Sequence, residues 1–185
     1  MLAESIFLSI LIGKLKKYKI RNLEKIHFDK IYFAFLAFAI ELISVIILKF
    51  DLQPYSSYIN NNYIFVHIFI YLFLFIFFAY NFKYKLLRIM LAGIILNFIV
   101  IISNNGFMPV SIDMALTNGF TESVNLLKAG KIAGHTLLIK ETTNLWFLGD
   151  IINIPPPYPF PQTISIGDIL IDLGIFLFIQ DKMKY

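Results

Sequence analysis

The sequence predicts an all-α fold: a polytopic integral membrane helical bundle of about five transmembrane helices, with a structured extracytoplasmic segment between the fourth and fifth. Three observations predict it. The 185 residues are 58% hydrophobic and 15% charged, with a mean hydropathy of +0.75; soluble domains average about 45–50% apolar and about 25% charged. The apolar residues are gathered into long runs rather than spread along the chain. Lys and Arg sit in the short connections between those runs, the distribution of a membrane protein and not of a nucleic-acid-binding stripe. One domain, residues 1–185, is expected, with residues 104–165 as its outer segment.

The first run, Leu2 to Ile12 and extendable to Leu15, is short for a hydrocarbon core of roughly 30 Å, which needs about 20 residues. Glu4 lies near its start and its basic residues follow it, the reverse of a secretory signal. It reads as a short first span with its N-terminus outside. The basic segment "KLKKYKIRNLEKIHFDK" follows, with Lys14, Lys16, Lys17, Lys19, Arg21, Lys25 and Lys30. It reads as a cytoplasmic anchor that meets lipid headgroups. The second, third and fourth spans are expected at Ile31–Leu48, Tyr63–Tyr80 and Leu86–Ser103. Each rises about 27 Å at 1.5 Å per residue. The fifth, Ile166–Ile179, is shorter and more polar.

Counting Lys and Arg orients the chain. The connections after spans one, three and five are basic; Lys49 stands alone after span two. The long outer segment carries only Lys128, Lys131 and Lys140. This alternation predicts a cell-membrane protein with its N-terminus outside and its C-terminus in the cytoplasm. Tyr55, Tyr58, Tyr63 and Trp146 then form an outer aromatic belt.

The outer segment has helix-like apolar spacing in "DMALTNGFTESVNLLKAG", with Gly119 interrupting. Periodicity does not decide between strand and helix for "HTLLIKETTNLWFL". "IPPPYPFPQ" predicts an extended strap, because each proline fixes its own φ and restrains its predecessor.

Ionisable groups are costly in lipid, so polar residues within or beside the spans are the candidate sites. Glu41 lies at the middle of span two. It is a candidate proton or ion site, or an interhelical hydrogen-bonding group. Asp168 and Asp172 are four apart on span five and share a face. "SIGD" also fits a capping box, with Ser165 at the N-cap and Asp168 reaching back. Asp172, a turn deeper, has no such role. Asn97 is a candidate interhelical bridge, and His67 an interfacial residue. His135, Asp150 and Glu141 have no metal-ligand spacing, so no metal is expected. The chain has no cysteine, which excludes disulfides and thiolate chemistry. Phosphate loops and hydrolase motifs are absent, and no cofactor is expected. Asn104, Asn105 and Gly106 close span four as a C-cap, and Pro109 stops the helix from resuming. The amides of Asn104 and Asn105 are expected to turn inward and hold the "SIGD" or "LGD" turn, latching the outer segment over the bundle.

An ordered set of motifs accompanies these residues: "NNGFMPVS" after span four, "AGKIAGH" at 129–135, "TTNLWFLGDIINIP" at 142–155, then "SIGD". In this the chain resembles an uncharacterised bacterial membrane-protein family, domain of unknown function 5317. The resemblance marks Asn97, Asn105, Gly106, Met108, Pro109, His135, Asp150, Pro155, Ser165, Gly167 and Asp168. It implies a multi-pass bacterial membrane protein and no particular reaction. Glu41 and Asp172 are not among the marked positions.

Three functions follow as expectations. The first is a non-catalytic membrane component or assembly factor, binding the lipid bilayer and a protein partner or second copy, with no nucleic acid. The second is a transporter of protons, ions or small solutes using intramembrane carboxylates. The third is an enzyme on a lipid-linked substrate at the outer leaflet, with His135, Asp150 and Asp168 as acid/base groups.

Overall fold

The apolar runs become helices, because in a chain this greasy each backbone N–H and C=O is satisfied most readily within its own segment. The computed structural model describes residues 2–184. Its long helices are α1 (Leu2–Leu15), α2 (Tyr32–Lys49), α4 (Tyr63–Tyr80), α5 (Leu87–Ser103) and α8 (Ile166–Lys184). A short α3 (Tyr55–Asn61) joins α2 to α4, and a 3₁₀ turn (Ile20–Lys25) lies between α1 and α2. The outer segment holds β1 (Met108–Val110), α6 (Ile112–Thr117), α7 (Thr121–Lys128), β2 (His135–Leu137), a 3₁₀ turn (Trp146–Leu148), β3 (Ile152–Ile154) and β4 (Gln162–Ile164).

The expectation of five transmembrane helices is not met. Among the described residues, only α2 and α4 are long and apolar enough to cross a membrane, with mean hydropathies of 2.1 and 2.3 over 18 residues. The reason is length and charge. The α1 helix has 14 residues, about 21 Å of rise, and α5, though apolar, has 17. The α8 helix has 19 residues but carries Asp168, Asp172, Asp181, Lys182 and Lys184. The alternation of basic connections therefore does not by itself count membrane crossings.

The most extensive helix contact is between α5 and α8. Small residues set it. A Cβ at Gly93 would collide with the Gly167 carbonyl, and one at Gly174 would sit 2.6 Å from the Met90 nitrogen. Missing side chains let the two backbones approach closely, as in small-residue helix seams. The α1 helix lies on the other side of α8, where Ser9 Oγ donates to the Phe176 carbonyl at 2.8 Å and the Gln180 amide donates to the Ser9 carbonyl. Helix α4 packs on α5, and α2 packs on α4. Tyr71, Phe78, Ile94, Val100, Phe178 and Met183 form the centre of the buried core, joined by Met108 from β1. The α2 helix buries only Ala37 and Ser44; Phe35, Phe38, Leu42 and Ile43 are exposed.

The basic connections converge on one end of the molecule. Lys19 N–H donates to the Met183 carbonyl at 3.1 Å, Lys83 Nζ meets Asp29 Oδ2 at 2.6 Å, and Lys182 Nζ stands 5.3 Å from the Tyr84 ring. The outer segment caps the opposite end. There β1 pairs parallel with β2, Met108 opposite His135, with α6 and α7 forming the crossover. Asp150 extends this pairing through a bridge to Val110. Strands β3 and β4 pair antiparallel, Ile152 opposite Ile164. The proline run is thus the loop of a hairpin rather than an extended strap: pairing on both flanks returns the chain, and Tyr158 N–H closes a turn on the Pro155 carbonyl at 3.3 Å.

Candidate binding cleft

The start of α8 is fixed by the expected capping box. Asp168 N–H donates to Ser165 Oγ at 2.9 Å, and Ser165 N–H donates to Asp168 Oδ2 at 3.0 Å. Asn97 of α5 closes the ring: its amide donates to Asp168 Oδ1 at 2.9 Å, and its carbonyl oxygen accepts from Ser165 Oγ at 2.9 Å. Gly167 lies directly beneath, where a Cβ would strike Asn97 Oδ1. Asn97, Ser165, Gly167 and Asp168 are therefore one unit that welds α8 to α5. Both Asp168 oxygens are engaged in it.

The end of α5 holds the outer segment, but through Asn104 and not Asn105. The Asn104 amide donates to the Val100 and Asn144 carbonyls, each at 2.8 Å. Asn144 answers, its N–H donating to Asn104 Oδ1 at 3.0 Å and its amide to the Ser103 carbonyl at 2.8 Å. Asn105 is exposed and adopts φ +57°; its role is the left-handed turn itself, which Asn tolerates. Gly106 follows at φ +89°, where a Cβ would sit 2.5 Å from the Ile64 backbone. The chain thus crosses the start of α4 and lays Phe107 on Tyr63, ring centroids 5.4 Å apart. Met108 enters the core, and Pro109 is fully buried.

Pro109 explains the "LGD" motif. Its carbonyl accepts from Asp150 N–H at 2.8 Å, while the Asp150 carbonyl accepts from Ser111 N–H at 3.0 Å. A Cβ at Gly149 would stand 2.7 Å from the Pro109 oxygen. This places the Asp150 side chain in the interior, 8% exposed. Its Oδ1 is buried without a hydrogen-bond partner. Burial pushes the Asp150 carboxyl up to about 8, and the nearby charge of Asp168 acts in the same direction.

Asp150 faces a cavity of about 310 Å³, walled also by His135, Gln162, Thr163, Asp168 and Asp172. A second hollow of about 250 Å³ adjoins it and shares His135, Asp150, Gln162 and Thr163. Apart from Ser123, its other walls are apolar: Val110, Ala115, Phe120, Val124, Leu127 and Ile132. The two make one cleft, acidic at the α8 end and apolar beneath α6 and α7. His135 Nδ1 lies 2.7 Å from the Ala133 carbonyl; since a carbonyl only accepts, Nδ1 carries a hydrogen. Asp172 Oδ2 is a second buried carboxylate oxygen without a partner. No lysine or arginine lines either hollow among the described residues.

The cleft therefore gathers His135, Asp150, Asp168 and Asp172. Glu41 is not part of it; it lies half-buried on α2. His67 is buried rather than interfacial, between Tyr63 and Tyr71. No group of three or more His, Asp or Glu is placed to share a metal ion among the described residues. Sequence reasoning missed Gln162 and Thr163 in the cleft, and Asn144 in the Asn104 pair. Gln162 and Thr163 alternate faces in a strand too short to show a period. Asn144 was one polar residue at the end of the polar run Lys140–Thr143, with nothing to single it out.

These features define a predominantly helical protein with two helices of membrane-spanning length and a lined cleft at one end. The chain belongs to the DUF5317 family, a family of unknown function, whose model matches residues 25–180. The match covers every position from Asn97 to Asp168 on which the resemblance rests. No curated protein and no solved structure matches the chain.

Proposed function

We propose that the protein is a non-catalytic, membrane-associated binding component. In this reading the α2–α4 pair anchors the protein in the bilayer and the cleft is its binding site. The cleft carries the reading: it joins a buried, unpartnered Asp150 oxygen to an apolar hollow within one enclosure. Ligand sites are commonly concave and mostly apolar, with a few placed polar groups. Membrane insertion is supported by the composition of α2 and α4 and by the exposed apolar face of α2. The gathering of Lys and Arg at the far end supports an orientation with that end on the cytoplasmic side.

The catalytic reading has less support. Both Asp168 oxygens are held in the helix cap, and no hydrogen bond joins His135 to Asp150 among the described residues. The transport reading has less still, because Glu41 lies on α2, outside the cleft that Asp172 lines.

Two measurements test the proposal. The protein should stay with membranes after an alkaline carbonate wash; release into the supernatant overturns the membrane assignment. Val124→Trp, which fills the apolar hollow, should abolish ligand-induced thermal stabilisation by short amphiphiles. Unchanged stabilisation overturns the assignment of the cleft.

A further inference from the structure

The walls of the cleft describe a ligand. At one end stand Asp150 and Asp172, each 8% exposed and each with a carboxylate oxygen that no donor satisfies. Asp168 adds charge of the same sign, although its own oxygens are used in the cap. No lysine or arginine lines the space among the described residues. The terminal ammonium of the chain and the Ser5 hydroxyl act on Asp172, although its Oδ2 is left without a donor, whereas no positive group acts on Asp150. Buried carboxylates are retained where something pairs with them or donates to them. The missing complement is thus a group rich in N–H donors and positive in charge. The Gln162 and Thr163 side chains stand at the junction of the two hollows. Beyond them the walls turn to aliphatic side chains and Phe120, with Ser123 the one further polar residue and no charged group for a second charge to meet. A metal ion is the poorer complement, because no ligand cluster is placed to hold one among the described residues.

We propose that the cleft binds a primary amine carried on an apolar chain, its ammonium between Asp150 and Asp172 and its chain under α6 and α7. This rests on the reading of the cleft as a binding site. An ammonium has three N–H donors and no acceptor, which suits two orphan oxygens on different elements. A quaternary ammonium has the charge but no donor. A carboxylate or phosphate head meets like charge and is rejected. The amine belongs either to a free alkylamine or to an aminolipid headgroup.

The test uses the full chain in phosphatidylcholine nanodiscs, titrated calorimetrically with hexylamine, hexyltrimethylammonium, hexanol and hexanoate against empty nanodiscs. Hexylamine should bind saturably and the quaternary analogue at least tenfold more weakly; hexanoate should not bind. Asp150→Asn and Asp172→Asn should each weaken hexylamine at least tenfold while leaving hexanol unchanged. That selectivity separates ammonium recognition from a merely structural loss, which would weaken both ligands together. If hexanol or hexanoate binds as tightly as hexylamine, the amine assignment is overturned while the cleft stands. If none of the four binds, the cleft itself is not a site. Adding phosphatidylethanolamine to the nanodiscs separates the sources. Competition with hexylamine assigns the amine to a headgroup, and its absence assigns it to a free amine; either result supports amine recognition.

Discussion

The Asn97 amide and the Asp168 carboxylate meet at 2.9 Å across the seam between α5 and α8. This bond completes a ring in which one residue pair caps a helix and a third residue ties that cap to its neighbour. Removing any member leaves a partner unsatisfied in a half-buried site.

Asn97→Ala and Asp168→Asn are each expected to destabilise the protein by about 1–3 kcal/mol, the cost of orphaning a buried polar group. Ser165→Ala should lie in the same range, because it removes both a cap and a donor to Asn97. Denaturant unfolding in mild detergent gives the three values. A change below about 0.5 kcal/mol for all three would contradict the welded seam.

Two glycine substitutions should separate by mechanism. Gly167→Ala places a methyl against Asn97 Oδ1 and the Gly93 carbonyl, so it must part the helices or break the ring, at a cost of about 3 kcal/mol or more. Gly119→Ala meets nothing within 4 Å and suffers only from its φ of +78°, about 1–2 kcal/mol. The reverse order in unfolding experiments would contradict the close seam.

Asn104→Ala and Asn105→Ala should not behave alike. The first breaks the reciprocal pairing with Asn144, and hydrogen exchange at the Asn144 amide should accelerate. The second loses no hydrogen bond but strains a left-handed residue; Asn105→Gly should relieve that strain and leave Asn144 protected. Equal acceleration in Asn104→Ala and Asn105→Ala would assign the latch to both amides.

Asp150 predicts a pH dependence. Its folded-state value, about 8, lies above the ordinary 3.8, so the native protein holds this proton more tightly than the unfolded chain does. The stability it contributes is complete below about pH 4 and is lost as pH rises through 8. Asp150→Asn cannot ionise and should flatten that loss, making the variant the more stable protein near pH 9. Thermal melts at several pH values read this directly, with an unchanged slope as the contrary result.

Part of this arrangement could be read from residues alone. The α2 and α4 runs announced themselves by length and by the absence of internal charge, apart from Glu41. Ser165 and Asp168 announced the cap by their spacing. The count of five spans failed because an apolar run was equated with a span. In α8 the charges, and in α1 and α5 the length, decide otherwise. Asn104 and Asn105 are indistinguishable as letters; only the backbone turn determines which amide points toward Asn144. The cleft was legible as a set of polar residues but not as an enclosure, because His135, Asp150 and Gln162 come together only through strand pairings three residues long.

The glycine seam has a mechanical consequence. Where α8 meets α5 at Gly93, Gly167 and Gly174, backbone lies against backbone, with no side-chain rotamers to absorb a shift. The wall bearing Asp168 and Asp172 is therefore stiff. The facing wall, built from α6 and α7, is two short helices joined through Asn118 and Gly119 and can yield. A cleft with one unyielding side and one compliant side sorts its contents strictly at the acidic end and leniently at the apolar one.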